Sequence, residues 1–276
     1  MNRLDHLKQT LPINIKENKE AVFTILDYNS KDGLEQWIKL NFAKEISIGR
    51  IDYYKESTAK DFYPAHSRNV CALAAKGDII CNVDADNIIG CDVDVFLKNS
   101  VVDNVLCASP WMLMNKYTSS HGRLAFTKKT FLRIGGYNEQ FIYGYGGEDN
   151  DIFKRCKKLN FKILYFKKED MNYIKHEDDE RIKNISFTNL QDISNNYEKI
   201  INNRANFEKS TPLNNMEKGR MLHEGITDSN LQNNILISNI GKKWGSARIK
   251  NNFKTINYYS YCFESKLFKH NDLLHL

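Results

Sequence analysis

No apolar run in these 276 residues approaches the ~20 residues that a membrane-spanning helix requires. Met1 to Thr10 is polar and charged, which is not the pattern of a secretory signal. The six cysteines, Cys71, Cys81, Cys91, Cys107, Cys156 and Cys262, show no CxxC spacing. Four of them lie in apolar stretches, where a thiol is a small core residue, so a cytoplasmic setting with reduced thiols is expected. The GxGxxG fingerprint of dinucleotide sites is absent. No nucleic-acid module or basic-aromatic interleaving occurs, so nucleic acid is not an expected partner. No internal repeat is present.

What is there is the composition of a folded domain. The hydrophobic fraction is 41% and the aromatic fraction 12%, enough for a sizeable core without staples. The net charge of +6 is mild. Its clearest cluster is Arg155, Lys157, Lys158, Lys162, Lys167 and Lys168. Such a run is ordinarily a solvated helix and strand face. It would also suit peripheral contact with an anionic membrane or a lipid-linked acceptor, at the inner membrane face.

Strand and helix patterns alternate through the first two-thirds of the chain. Leu4, Leu7 and Leu11 stripe an opening helix expected to stop near Pro12 and Asn14. Val22–Leu26 reads as a strand, with Asp27–Ser30 as the loop after it. Leu34, Trp37, Ile38 and Phe42 stripe a second helix, and Ile46–Ile51 reads as another strand. Pro64 suits the first turn of a helix reaching about Ala75, and Asp78–Val83 reads as a buried strand. This order predicts an α/β fold with a mostly parallel sheet covered by helices, over residues 1–185. Ligands of such sheets bind beyond the carboxyl ends of the strands. Residues 186–276 read as a mainly helical appendage: Leu190, Ile193, Tyr197 and Ile200 have helical spacing. Ile235–Ile237 and Ala247–Ile249 flank Gly241 and Gly245 like a hairpin.

Two constellations carry chemistry. Asp84-Ala85-Asp86 directly follows the strand Asp78–Val83. In a polar loop an Asp-x-Asp is most often a solvated turn. At a strand end, the same pair can divide work around a divalent cation, one carboxylate ligating it and the other orienting ribose or a bound water. The second constellation is Gly135-Gly136-Tyr137-Asn138-Glu139, then Gly144-Tyr145-Gly146-Gly147-Glu148-Asp149-Asn150-Asp151. Glycines around an aromatic give a loop that changes conformation cheaply. Acids at the start of the following helix are kept ionised by its free N–H groups and dipole, which suits a general base. An acidic first turn that merely caps a helix explains the carboxylates but not the glycine-rich loop before them.

Together these segments resemble the GT-A glycosyltransferases, in particular the β-1,4-galactosyltransferase group and the bacterial family 2 relatives that build surface glycans. The resemblance is closest over Leu124–Phe161 and extends more loosely back to Ser67-Arg68-Asn69 and forward to His176. It implies a Rossmann-like, nucleotide-diphospho-sugar transferase fold and an inverting, metal-dependent transfer from a UDP-sugar to a carbohydrate or lipid-linked glycan hydroxyl. It places Mn²⁺ or Mg²⁺ on Asp86 and His176, and the donor against Asp84, Arg68, Gly122, Arg123, Tyr145, Gly146 and Gly147. It assigns acceptor binding to Glu148 and Asp149, and the catalytic base to Asp149. Arg181 is a further candidate for the nucleotide. Asn150 stands where the animal enzymes carry a carboxylate, and Tyr145 where relatives often carry Trp. Domains of this type open with a strand whose end meets the nucleotide base. Met1-Asn2-Arg3 resembles the end of that strand, which leaves two expectations open: a start upstream, or a protein that lacks part of its uridine site.

Two competing classes remain at this point: a nucleotide-sugar hydrolase or nucleotidyltransferase on a similar sheet, and a non-catalytic glycan-binding relative. The presence of Asp84, Asp86, Asp149 and His176 together argues against the second.

Overall fold

The computed structural model describes residues 1–114, 118–137, 147–176 and 183–184, with the strand backbones at 243–244, 249–251 and 263–264. Helix α1 spans Leu4–Glu17 and runs through Pro12, past the expected stop. Its buried Leu4 and Leu11 join Leu34, Ile38, Phe42, Ile51 and Tyr53 in one apolar cluster. Strand β1 (Phe23–Tyr28) pairs in parallel with β2 (Ile51–Glu56), across the helices α2 (Leu34–Asn41) and α3 (Ala43–Ser47). The strand expected at Ile46–Ile51 therefore lies later. Residues 43–47 are helical, Gly49 turns with φ 76°, and Ile51 to Tyr54 are all buried.

Helix α4 (Pro64–Ala74) begins with proline at its first turn, where the missing N–H costs no bond. Strand β3 (Ile79–Cys81) follows, then the short β4 (Asn87–Ile89) and helix α5 (Val93–Ser100). Next come β5 (Val105–Ala108), α6 (Pro110–Leu113), β6 (Leu124–Thr127) and α7 (Lys128–Arg133). Helix α8 (Glu148–Lys158), β7 (Lys162–Tyr165), a 3-10 turn at Lys168–Asp170 and β8 (Met171–Tyr173) complete the described body. The central sheet has the order β3-β6-β5-β7, and its core packs Leu106, Leu124, Phe126, Phe131, Ile134 and Ile152.

The α/β class and the mixed sheet are as expected, but the balance of strand directions differs. Among the described strands the parallel pairs are β1–β2 and β5–β7, and the other pairs are antiparallel. The reason is local: β6 runs back between β3 and β5 and pairs antiparallel with both. Near the end of the chain, β9 (Lys243–Trp244) pairs with β11 (Phe263–Glu264), and β10 (Ile249–Asn251) adds to the free edge of β2. Ile249 is therefore opposite Glu56 in the main body. The other arm of the expected hairpin, 235–237, and the helical pattern at 190–201 lie outside the described residues. Among the described residues, no helix is long and apolar enough to cross a membrane.

Candidate active site

Two small registers bring the candidate residues together. Strand β4 pairs antiparallel with β8, Asn87 opposite Tyr173, and the Ile174 amide donates to the Asp86 carbonyl at 2.8 Å. That register carries His176 back to the Asp84–Asp86 loop. Its Nε2 lies 2.6 Å from Asp86 Oδ2, across ninety residues of sequence. At the neighbouring edge β3 and β6 pair with Cys81 opposite Ala125, and the Asn82 amide donates to Leu124 O. Gly122 thus adjoins the end of the strand that leads into Asp84.

The Asp86 side chain is only 11% exposed, and burial raises its carboxyl above the usual range. The Asp84 charge pushes the same way, whereas the hydrogen bond from His176 pulls down. An oxygen and an imidazole nitrogen side by side suit a borderline cation such as Mn²⁺, and a small hard cation takes few protein ligands beside phosphate and water. No group of three or more metal-type side chains occurs among the described residues. Asp86 and His176 are thus the two side chains that would hold a divalent ion here, which would supply charge neutralisation for a diphosphate.

Asp149 and Glu148 stand in the first turn of α8, with Gly147 as the capping residue before it at φ 102°. That angle is natural to glycine and strained for other residues. The side chain of Asp149 is 13% exposed, and desolvation pushes its carboxyl up to about 7, against the pull of Arg68. Glu148 and Asp84 push in the same direction as burial. A carboxyl near neutrality is well placed to take a proton from a hydroxyl.

Arg68, on α4, links the two constellations. Its Nη1 lies 2.5 Å from Glu148 Oε1 and 2.6 Å from Asp149 Oδ1, and its Nη2 lies 3.1 Å from Asp84 Oδ1. The guanidinium also lies over the Tyr137 ring, 5.5 Å from its centroid. Burial alone would disfavour its charge, but the three carboxylates around it outweigh burial and hold it firmly charged.

Arg123, expected to meet the donor, is turned into the body of the protein. Arg123 is 1% exposed and bonds to Asn87 Oδ1, Ile88 O and Asp170 O, so it clamps β4 to the turn before β8. Gly122 is at the site but serves Asp149, whose carboxylate leaves no room for a Cβ there. Arg155 leaves the basic cluster: it is 1% exposed, pairs with Asp151 at 2.9 Å and bonds to Ile134 O and Gly136 O. Lys157, Lys162, Lys167 and Lys168 remain exposed. Tyr145, Gly146 and Arg181 lie outside the described residues.

Sequence reasoning missed four residues. Asn87 donates to Asp86 Oδ1 at 2.9 Å. The ring of His6, on α1, lies 5.2 Å from the His176 ring. His121 Nε2 is 3.1 Å from Asn150 Oδ1, beside Asp149, the candidate base. Asn69, one residue after Arg68, exchanges two 2.8 Å bonds with the Tyr137 backbone and holds the chain leading into the glycine-rich loop. A signal existed for Asn87, which directly follows the acidic pair, and for Asn69, which lies within the looser resemblance.

Residues 105–178, from the start of β5 to just past His176, match the family described as the N-terminal domain of galactosyltransferase. The match is a similarity over about a quarter of the chain. It includes Gly122, Glu148, Asp149 and His176, while Arg68, Asp84 and Asp86 precede it. No curated protein matches the chain. Among solved structures, the chain is similar to GalNAc-T7 with UDP, GalNAc and Mn²⁺ at 14% identity and a TM-score of 0.45, over 58% of this chain and 39% of that one. A second is the mannosyltransferase PcManGT from Pyrobaculum calidifontis in complex with GDP-Man and Mn²⁺, at 18% identity and TM-score 0.45, over 60% and 52%. A third is a mutant of the Drosophila β-1,4-galactosyltransferase 7 in complex with manganese, UDP-Gal and xylobiose, at 16% identity and TM-score 0.40, over 62% and 78%. The chain thus spans about two-fifths and about half of the first two.

Proposed function

We propose that this chain is an inverting, metal-dependent glycosyltransferase that moves a sugar from a UDP-sugar of the galactose or N-acetylhexosamine type to a carbohydrate hydroxyl. The observation that carries this reading is the reach of Arg68, which touches the donor-side carboxylate Asp84 and the candidate base Asp149 at once. Donor and acceptor chemistry therefore meet within one guanidinium's span. The match of residues 105–178 to the galactosyltransferase model, a segment that contains Asp149 and His176, supports the same class.

The acceptor hydroxyl gives its proton to the Asp149 carboxylate while its oxygen bonds to the anomeric carbon. The bond from that carbon to the diphosphate breaks, and the nucleoside diphosphate leaves with the electron pair. Attack opposite the leaving group inverts the configuration, so an α-linked donor gives a β-linkage. A divalent ion on Asp86 and His176 would neutralise charge on the leaving diphosphate. Glu148, 4% exposed and held by the same Arg68 nitrogen as Asp149, would orient the neighbouring acid and the acceptor. The five described cysteines are free thiols, which supports the cytoplasmic setting. A role in surface-glycan synthesis rests on the resemblance around Leu124–Phe161.

The test is a screen of nucleotide sugars with Mn²⁺, each with and without sugar acceptors, reading released UDP and the anomeric configuration of the product. Release that is equal with and without acceptor would make the protein a hydrolase. No turnover with any donor, together with retained glycan binding, would make it a non-catalytic relative.

A further inference from the structure

We propose that Asn87 is a positioning residue for the metal-binding carboxylate, set in place by the buried Arg123. The inference rests on the reading of Asp86 as a metal ligand. Asn87 follows that residue, is 1% exposed, and spends every polar atom on a defined partner. Its amide nitrogen donates to Asp86 Oδ1 at 2.9 Å and to Ser119 O at 3.1 Å. Its amide oxygen accepts from Arg123 Nη2 at 3.1 Å, which settles which end of the amide faces Asp86. A guanidinium only donates, so the amide oxygen must face Arg123 and the NH₂ must face the carboxylate.

The result is a directed chain from Arg123 through Asn87 to Asp86 Oδ1, leaving Oδ2 toward His176. The two carboxylate oxygens thereby have separate duties, one anchored and one presented. The backbone of Asn87 is held as well. Its carbonyl accepts from Asn14 Nδ2 at 3.0 Å, and its amide donates to Asp84 O at 2.9 Å. Thr10 Oγ1, also on α1, donates to Ala85 O at 2.7 Å. A side chain fixed on both sides and on the main chain adds orientation to its neighbour, which is what outer partners of metal ligands supply.

The experiment titrates Mn²⁺ into purified, metal-free protein in the presence of UDP, following free Mn²⁺ by electron paramagnetic resonance. Parent, Asp86→Ala and Asn87→Ala are compared, each with its metal-free melting temperature. Asn87→Ala is expected to weaken Mn²⁺ binding by ~10–100-fold, the usual effect of losing an outer partner. In turnover, its requirement for Mn²⁺ should rise by a similar factor while the rate at saturating Mn²⁺ stays near the parent's. A purely structural role would lower the melting temperature and leave Mn²⁺ affinity unchanged, and that result overturns the inference. If Asn87→Ala does not fold, Asn87→Ser is used: it keeps a hydroxyl but cannot span from Arg123 to Asp86. Unchanged Mn²⁺ binding in Asp86→Ala would sink the metal reading itself, and this inference with it. A sensitive Asp86→Ala beside an insensitive Asn87→Ala sinks only the inference.

Discussion

The carboxylate of Asp149 rests against the backbone of Gly122, so closely that a Cβ on Gly122 would lie 2.3 Å from Oδ2 and 2.8 Å from Cγ. Real side chains do not approach so near, so Gly122→Ala must push the carboxylate away from its place beside Arg68. Transfer is expected to fall by at least ~10-fold, since small misplacements of a catalytic group are costly. Mn²⁺-dependent UDP binding should be kept, because Asp84, Asp86 and His176 are not displaced. Full activity in Gly122→Ala would show that the base does not need this seat.

Asp149→Asn keeps size and much of the hydrogen bonding but removes the proposed proton acceptor. Transfer should fall by ~10²-fold or more, with donor binding nearly unchanged. An active Asp149→Asn protein would end the assignment, because Asn caps a helix about as well as Asp and a capping role predicts no loss.

The same carboxyl sets a pH dependence. As the proposed base it would act only when ionised, so kcat/KM should rise with pH and level off above about 7. The stability effect has the opposite sign. A carboxyl raised above its unfolded range favours the protonated folded state, so its contribution is whole at low pH and is lost as pH climbs through about 7. Asp149→Asn should therefore melt above the parent near about pH 8 and gain nothing near about pH 4. Parallel melting curves across that span would refute the raised carboxyl.

Asp151 answers to different physics. It forms a buried pair with Arg155, which in turn holds the Ile134 and Gly136 carbonyls at the base of the glycine-rich loop. Asp151→Ala leaves a buried charge unpaired and should cost about 3–5 kcal/mol of stability. Chemical denaturation measures this directly. Turnover per folded molecule should change far less than for Asp149→Asn, and a reversal of that order would exchange the two roles.

Chelation supplies the last test. Excess chelator should abolish transfer, and Mn²⁺ should restore it, while the melting temperature in the absence of UDP moves little. Undiminished turnover in chelator would remove the metal from the chemistry.

Much of this was legible in the order of residues. Pro64 and the apolar stripe after it mark α4, the run before Asp84 marks β3, and the glycines before Glu148 mark the start of α8. These features are local: they depend on turn chemistry, helix caps and periodicity within a few residues. The same locality explains the misplaced strand at Ile46–Ile51, where two apolar stretches flank Gly49 and only burial against α1 and α2 selects the second. It also explains the unforeseen antiparallel pairing of β6, since strand direction is a property of the whole sheet.

By itself, the sequence determined the class of fold, the two acidic constellations and the candidate base. The tertiary structure decided which partners they have. The register of β4 on β8 brings His176 to Asp86, and α4 turns Arg68 toward three carboxylates that lie 16, 80 and 81 residues away. In the sequence Arg123 looks like a donor contact and Arg155 like a surface cation, yet both are buried, because each finds several carbonyl acceptors only once distant strands and turns are packed around it. Burying a guanidinium is costly unless its donors are met, and no local pattern can show that they will be.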